Sequence, residues 1–155
     1  MLTRRLLLGQ MTAAGAMGGL RPSFAARAEQ GLRAIAARRG LLYGCAAATY
    51  ELRDADFRAA LAREAGILVA EYEMKRSAIE PARGAYDFSG GDALLFFAQA
   101  QDMKFRGHTL VWHHSNPPWL EASLQSPGAE KQFTDAIASI VTHYKGRIHS
   151  WDVVN

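Results

Sequence analysis

From about residue 29 onward the chain alternates short apolar runs with amphipathic stretches. Leu41 to Thr49, small, apolar and preceded by Gly40, predicts a buried strand. Asp54 is placed to cap a helix running to about Ala65, with Phe57, Leu61 and Ala65 on one face and Gly66 as its stop. Ile67-Leu68-Val69-Ala70 is a second apolar run, too short for a helix. Pro81 and Gly84 mark a loop, and Ser89 to Met103 predicts a helix dense in Leu94, Leu95, Phe96 and Phe97. A third strand spans about Lys104 to Trp112 and is broken by Pro117-Pro118. Ser126-Pro127 reads as the N-cap and first residue of a helix carrying Phe133, Ile137, Val141 and Tyr144 to a stop at Gly146. Ile148 to Asn155 predicts a fourth strand.

Strand–helix alternation with near-continuous apolar strands implies an α/β fold whose parallel sheet is buried on both faces. Four such strands suit either a doubly wound sheet or a barrel. A doubly wound nucleotide binder would carry glycines in its first strand–helix turn. That turn reads Ala46-Ala47-Ala48-Thr49-Tyr50-Glu51 instead. Polar residues gather where the later strands end: Glu71 and Glu73, then His108, Trp112 and His113, then Asp152 and Asn155. Functional groups at the carboxyl ends of several parallel strands are the signature of a TIM (β/α)8 barrel. The expectation is about the first four βα units of such a barrel, an incomplete one, in a single domain over 29–155.

At 49% hydrophobic and 21% charged, the composition is that of a globular protein. The formal charge of +3 raises the question of a nucleic-acid partner. Arg4, Arg5, Arg21 and Arg27 all fall within the first 28 residues, leaving 14 basic against 15 acidic residues, or −1, in the remainder. No phosphate-binding stripe is left, so no nucleic-acid partner is expected. The leader itself looks like a targeting signal. Thr3-Arg4-Arg5-Leu6-Leu7-Leu8 is a twin-arginine start, followed by a weakly apolar, Gly/Ala-rich stretch to Leu20. Ser23-Phe24-Ala25 and Ala26-Arg27-Ala28 both offer small residues for cleavage, after Ala25 or Ala28. The stretch is too short for a membrane span. The expectation is therefore a signal peptide over 1–28, recognition by the twin-arginine export machinery, and a periplasmic or secreted product. The lone Cys45 permits no internal disulfide, and its apolar run suggests a buried small hydrophobe.

Two-residue spacing places Glu71 and Glu73 on one side of an extended strand, and His108, Leu110 and Trp112 on one face of the next. An imidazole, an indole and a carboxylate around one cleft suit a sugar, whose apolar ring faces stack on tryptophan while its hydroxyls meet charged groups. A metal site built on His108, His113 and His114 is disfavoured. His108 and His113 fall on opposite strand faces, and no third ligand has matching spacing. Cys45 lacks a marked base and is a poor nucleophile candidate.

Five ordered motifs carry a family resemblance. Arg106-Gly107-His108-Thr109-Leu110-Val111-Trp112-His113 matches, residue for residue, the RGHTLVWH strand of family 10 glycoside hydrolases. Trp151-Asp152-Val153-Val154-Asn155 resembles that family's WDVVNE without its final glutamate. Glu71-Tyr72-Glu73-Met74-Lys75 is similar to its E-N-x-M-K, and Glu80-Pro81 with Gly84-Ala85-Tyr86-Asp87-Phe88 to its EP-x-x-G-x-F-x-F. Tyr144-Lys145-Gly146 matches the YKG before strand four. The resemblance covers roughly residues 44–155.

It implies a retaining endo-β-1,4-xylanase acting on xylan or xylo-oligosaccharides, with no metal and no cofactor. Retention uses two carboxyl groups roughly 5–5.5 Å apart. By the resemblance the acid/base would follow Asn155 and the nucleophile would lie on a much later strand. No catalytic residue is therefore expected in this chain. What carries over is the glycone-side floor: Glu71, Lys75 and His108 on sugar hydroxyls, Trp112 lining that subsite, and Asn155 on the 2-hydroxyl of the sugar being cleaved. His113 and Asp152 would support the site. Tyr72 replaces the usual asparagine, and Arg76 stands where Trp or Pro is common. The competing readings are a non-catalytic, sugar-binding remnant and a related barrel hydrolase such as a cellulase.

Overall fold

The computed structural model describes residues 30–155, so the leader expected over 1–28 lies outside the described residues. Strands β1 (Gly44–Ala47), β2 (Ile67–Ala70), β3 (Lys104–Val111) and β4 (Ser150–Val154) form one parallel sheet in the order β1-β2-β3-β4. Each strand is laid down beside the one before it, the winding of a β/α barrel; a doubly wound sheet would reverse its order. The helices are α1 (Leu32–Ala37), α2 (Ala55–Glu64), α3 (Arg76–Ile79), α4 (Ser89–Ala100), α5 (Pro118–Ser123) and α6 (Ala129–His143). Single 3-10 turns occupy Glu51–Arg53 and His113–Ser115.

The core lies between the sheet and helices α2, α4 and α6. Leu68 and Phe105 point outward from β2 and β3 and meet Leu61, Leu94, Leu95, Ala98 and Ile140 from the helices, all buried. Each leucine, isoleucine or phenylalanine among them contributes about 1.5–3 kcal/mol through lost apolar contact with water. Gly107 on β3 is a close approach in this layer. The Trp151 ring of β4 lies where a side chain would be, with Cε3 only 2.2 Å from the position of an added Cβ. At the end of the sheet where the strands begin, the Arg33 guanidinium donates to the carbonyls of Ala62 (3.2 Å), Gln101 (3.0 Å) and Asp102 (2.9 Å).

Asp54 caps α2 as expected, accepting from the N–H groups of Asp56 (2.8 Å) and Phe57 (3.1 Å). Several local expectations need correction. Gly66 is not a left-handed helix stop. Ala65 already turns extended (φ −100°, ψ 134°), and the Gly66 N–H joins the sheet by donating to the Tyr43 carbonyl at 2.8 Å. Ser126-Pro127 does not start α6; the N-cap is Gly128 at φ 84°, while the Ser126 hydroxyl donates backward to the Ser123 carbonyl. Pro118 does not merely break the chain but opens α5 at its first turn, where a missing N–H costs nothing. Among the described residues, helices cover one face of the sheet, and the other face is an open concavity. Cys45 is consequently exposed rather than buried.

Candidate functional site

The concavity has a volume of about 680 Å3. Its wall includes Ile67, Val69 and Glu71 from β2 and its end, Lys75 beyond it, Arg106 and His108 from β3, and Trp112 after it. The structure thus brings together four of the residues expected from sequence: Glu71, Lys75, His108 and Trp112. Their convergence has a local cause. β2 ends at Ala70, and the Glu71 N–H makes a last rung to the Ala47 carbonyl at 2.9 Å. The chain then turns, Lys75 N–H donating to the Tyr72 carbonyl at 2.9 Å. That turn folds the lysine back so that its ammonium donates to the Glu71 carbonyl and sits 5.3 Å from the centre of the Trp112 ring. A cation over the face of an indole is held by the ring quadrupole.

A second group is anchored by Asp152. Its carboxylate takes both Nε (2.9 Å) and a terminal nitrogen of Arg106, and also faces Nδ1 of His108 at 3.0 Å. The Thr109 hydroxyl donates to the Asp152 carbonyl at 2.8 Å and fixes β4 against β3 here. The Arg106 hydrogen bonds, seconded by the one to His108, hold the Asp152 carboxyl below its ordinary range despite some desolvation. With Nδ1 committed to a carboxylate, the imidazole keeps Nε2 for a ligand in the concavity.

Other expectations fare differently. Glu73 does not share a side with Glu71, because the chain leaves the extended conformation after Ala70. Its carboxylate accepts from the Thr49 N–H at 2.5 Å, in a separate recess with Tyr72 and Asp87. Burial raises the Glu73 carboxyl, but the Thr49 donors and the N–H groups of Glu73 and Tyr72 outweigh it and hold it low. Leu110 does not share the face of His108 and Trp112. The β3–β4 register shifts between His108 and Val111, Thr109 and Leu110 are both buried, and Leu110 joins the core. His113 lies in the 3-10 turn, exposed, with its ring 3.9 Å from that of His114 and outside the wall of the concavity. Asn155 is tied to β3 by its N–H to the Val111 carbonyl at 3.0 Å but is also outside that wall. Among the described residues no three His, Cys, Asp or Glu side chains group as metal ligands would.

Sequence reading missed two features. Arg106 stands two positions before His108, the same-face spacing of a strand, and that signal was available. The other is Arg76 with Glu80, 3% and 2% exposed, whose terminal nitrogen and Oε2 lie 2.5 Å apart. Their i, i+4 spacing was visible; their burial was not.

A cation, a carboxylate-anchored imidazole and an indole converge at the carboxyl ends of parallel strands. That defines the class: a β/α-barrel protein whose polar and aromatic side chains meet at the carboxyl ends of its strands. The chain belongs to glycosyl hydrolase family 10, whose sequence model matches residues 31–155. It is 33% identical over its whole length to an endo-1,4-beta-xylanase of Claviceps purpurea, covering 48% of that protein. It is 41% identical over 88 residues, 57% of the chain, to a beta-1,4-xylanase of Dictyoglomus thermophilum, covering 25% of it. Among solved structures it resembles a glycosylated endo-beta-1,4-xylanase of Gloeophyllum trabeum, with TM-score 0.75 and 35% identity over 82% of this chain and 41% of that one. It also resembles a Thermotoga petrophila xylanase 10B solved with xylobiose, with TM-score 0.73 and 32% identity over 79% and 38% of the two chains. The chain spans at most about half the length of these relatives.

Proposed function

We propose that this chain forms the glycone-side portion of a secreted, retaining endo-β-1,4-xylanase. The observation that carries the reading is the single concavity in which Glu71, Lys75, His108 and Trp112 meet, in a chain of this family. In this reading Lys75 and Glu71 bond the hydroxyls of the sugar on the non-reducing side of the cut, His108 adds a third bond through Nε2, and Trp112 covers the ring face. Asp152 and Arg106 hold His108 in place. Asn155 reaches the 2-hydroxyl of the sugar being cleaved, and His113 supports the turn that carries Trp112. The double displacement itself needs two further carboxyl groups, one as acid/base and one as nucleophile. The test is a full-length form, extending through both glutamates, given xylo-oligosaccharides and followed by proton NMR. The β-anomer should appear first; α-anomer first, or no cleavage of xylan beside brisk cleavage of cellulose, would refute the reading.

Export is proposed to follow the twin-arginine route, supported by Arg4-Arg5 ahead of a weakly apolar, glycine-rich stretch. Changing Arg4 and Arg5 together to Lys should leave the enzyme in the cytoplasm. Normal export in cells lacking that pathway would refute it.

A further inference from the structure

We propose that Arg76 is a positioning residue that sets the Lys75 ammonium against Trp112, and so controls how tightly the sugar beside the cleavage point is held; this rests on the xylanase reading above. Lys75 is the N-cap of α3 and Arg76 its first residue. A four-residue helix cannot hold itself in place, since so short a segment does not offset the cost of nucleation. Its position is set by what its side chains grip.

Arg76 supplies the ionic grip. Its guanidinium is buried against the Glu80 carboxylate at 2.5 Å, with the rings of Trp119 and Phe133 centred 5.8 and 5.9 Å away. Glu80 in turn accepts the Gly84 N–H at 2.7 Å through Oε1, and its carbonyl accepts the Trp119 indole N–H at 3.1 Å. The ion pair braces the segment after β2 from within, and Trp119, packed on the guanidinium and donating to the Glu80 carbonyl, joins it to the segment after β3. A second tie runs parallel to it, the Ser77 and Ser115 hydroxyls lying 2.9 Å apart. Ser115 ends the 3-10 turn that begins directly after Trp112. Both ties therefore fix the lysine-bearing segment relative to the indole-bearing one. A buried guanidinium left without its carboxylate is costly, so this pair specifies an arrangement as well as filling space. Arg76 itself is 3% exposed and cannot reach a sugar. Its influence must pass through its neighbour, Lys75.

The experiment is a double-mutant cycle in the full-length enzyme, with kcat and KM on an aryl xylobioside and a thermal unfolding scan for every variant. Arg76→Met should raise KM about tenfold with kcat changed less than twofold, the pattern of lost binding common to ground and transition states. In a Lys75→Ala background the same change should alter kcat/KM by less than about twofold, because there is no longer an ammonium to position. Ser77→Ala is milder and folds if Arg76→Met does not. It should raise KM about two- to threefold, again only while Lys75 is present. Equal losses with and without Lys75 would overturn the proposal while leaving the xylanase reading intact. A stable wild-type enzyme that does not cleave the xylobioside would take down both.

Discussion

Gly107→Ala tests whether the outer layer of the sheet positions the site on its inner face. The two strands pair Gly107 with Trp151, and the indole covers the glycine. An added Cβ would lie 2.2 Å from Cε3 and 2.3 Å from Cζ3, where ordinary contact begins near 3.4 Å. The ring must retreat by more than an ångström, toward Tyr144, whose ring centre is 6.0 Å away in the buried core. Overpacking of this kind costs about 1–3 kcal/mol. In a domain of ordinary size that lowers Tm by roughly 2–4 °C for each kcal/mol. The effect should not stop at stability. Asp152 follows Trp151 on β4, and its 3.0 Å contact with His108 depends on where that strand lies. A rise in KM for xylo-oligosaccharides should accompany the fall in Tm in the full-length enzyme. The control is the same change in a Trp151→Leu background, where the smaller side chain leaves room and the added penalty should fall below about 0.5 kcal/mol. A Gly107→Ala enzyme with unchanged Tm, or an equal drop in both backgrounds, would refute the reasoning.

His108→Ala and Lys75→Ala should each lower kcat/KM on xylan by about 1.5–3 kcal/mol of lost charge-assisted bonding, with Tm nearly unchanged; wild-type kinetics would remove either residue from the site. The Asp152 carboxyl lies below its ordinary range when folded, chiefly through Arg106, so its contribution to stability is present above the unfolded value and is lost as pH falls through the folded one. The Tm difference between wild type and Asp152→Asn should accordingly be largest near neutrality and shrink as pH drops below the usual aspartate range; a constant difference would contradict this. Expressed alone, residues 31–155 should show no turnover of an aryl xylobioside and should self-associate in sedimentation. The association follows from Leu41, Leu42, Val153 and Val154, which are open to solvent. A monomer with activity would disprove it.

Much of this was legible in the sequence, for identifiable reasons. Strands β2 and β3 announce themselves because both supply the apolar core, and Asp54 because a cap is a local matter of side chain and backbone. His108 and Trp112 stand out already as polar and aromatic groups at a strand end, whereas Lys75 comes from the family motif alone, since nothing in strand alternation says that a residue beyond the strand folds back inward. What could not be read depends on breaks in regularity. The turn after Ala70 sends Glu73 away from Glu71, toward the backbone of Thr49. The register shift in β3 moves Leu110 into the core. Arg76 is a charged residue whose burial becomes tolerable only once Glu80, Trp119 and Phe133 close around it, three partners that no local rule connects.

The shift in β3 has a bearing on how the chain finds its alignment. Before it, Phe105 and Gly107 face the helices while Arg106 and His108 face the concavity; after it, the parity is reversed, with Leu110 inward to the helices. A strand of uniform alternation that slips by one residue exchanges its two faces wholesale, and a slip by two restores them. A strand that switches phase partway has no such second chance. Slipped by one it misplaces Arg106, and slipped by two in either direction it puts His108 or Leu110 on the wrong side of the sheet. In a parallel sheet, whose pairing must be found across long connections, this makes the third strand a frame marker that discriminates the native alignment from its near neighbours.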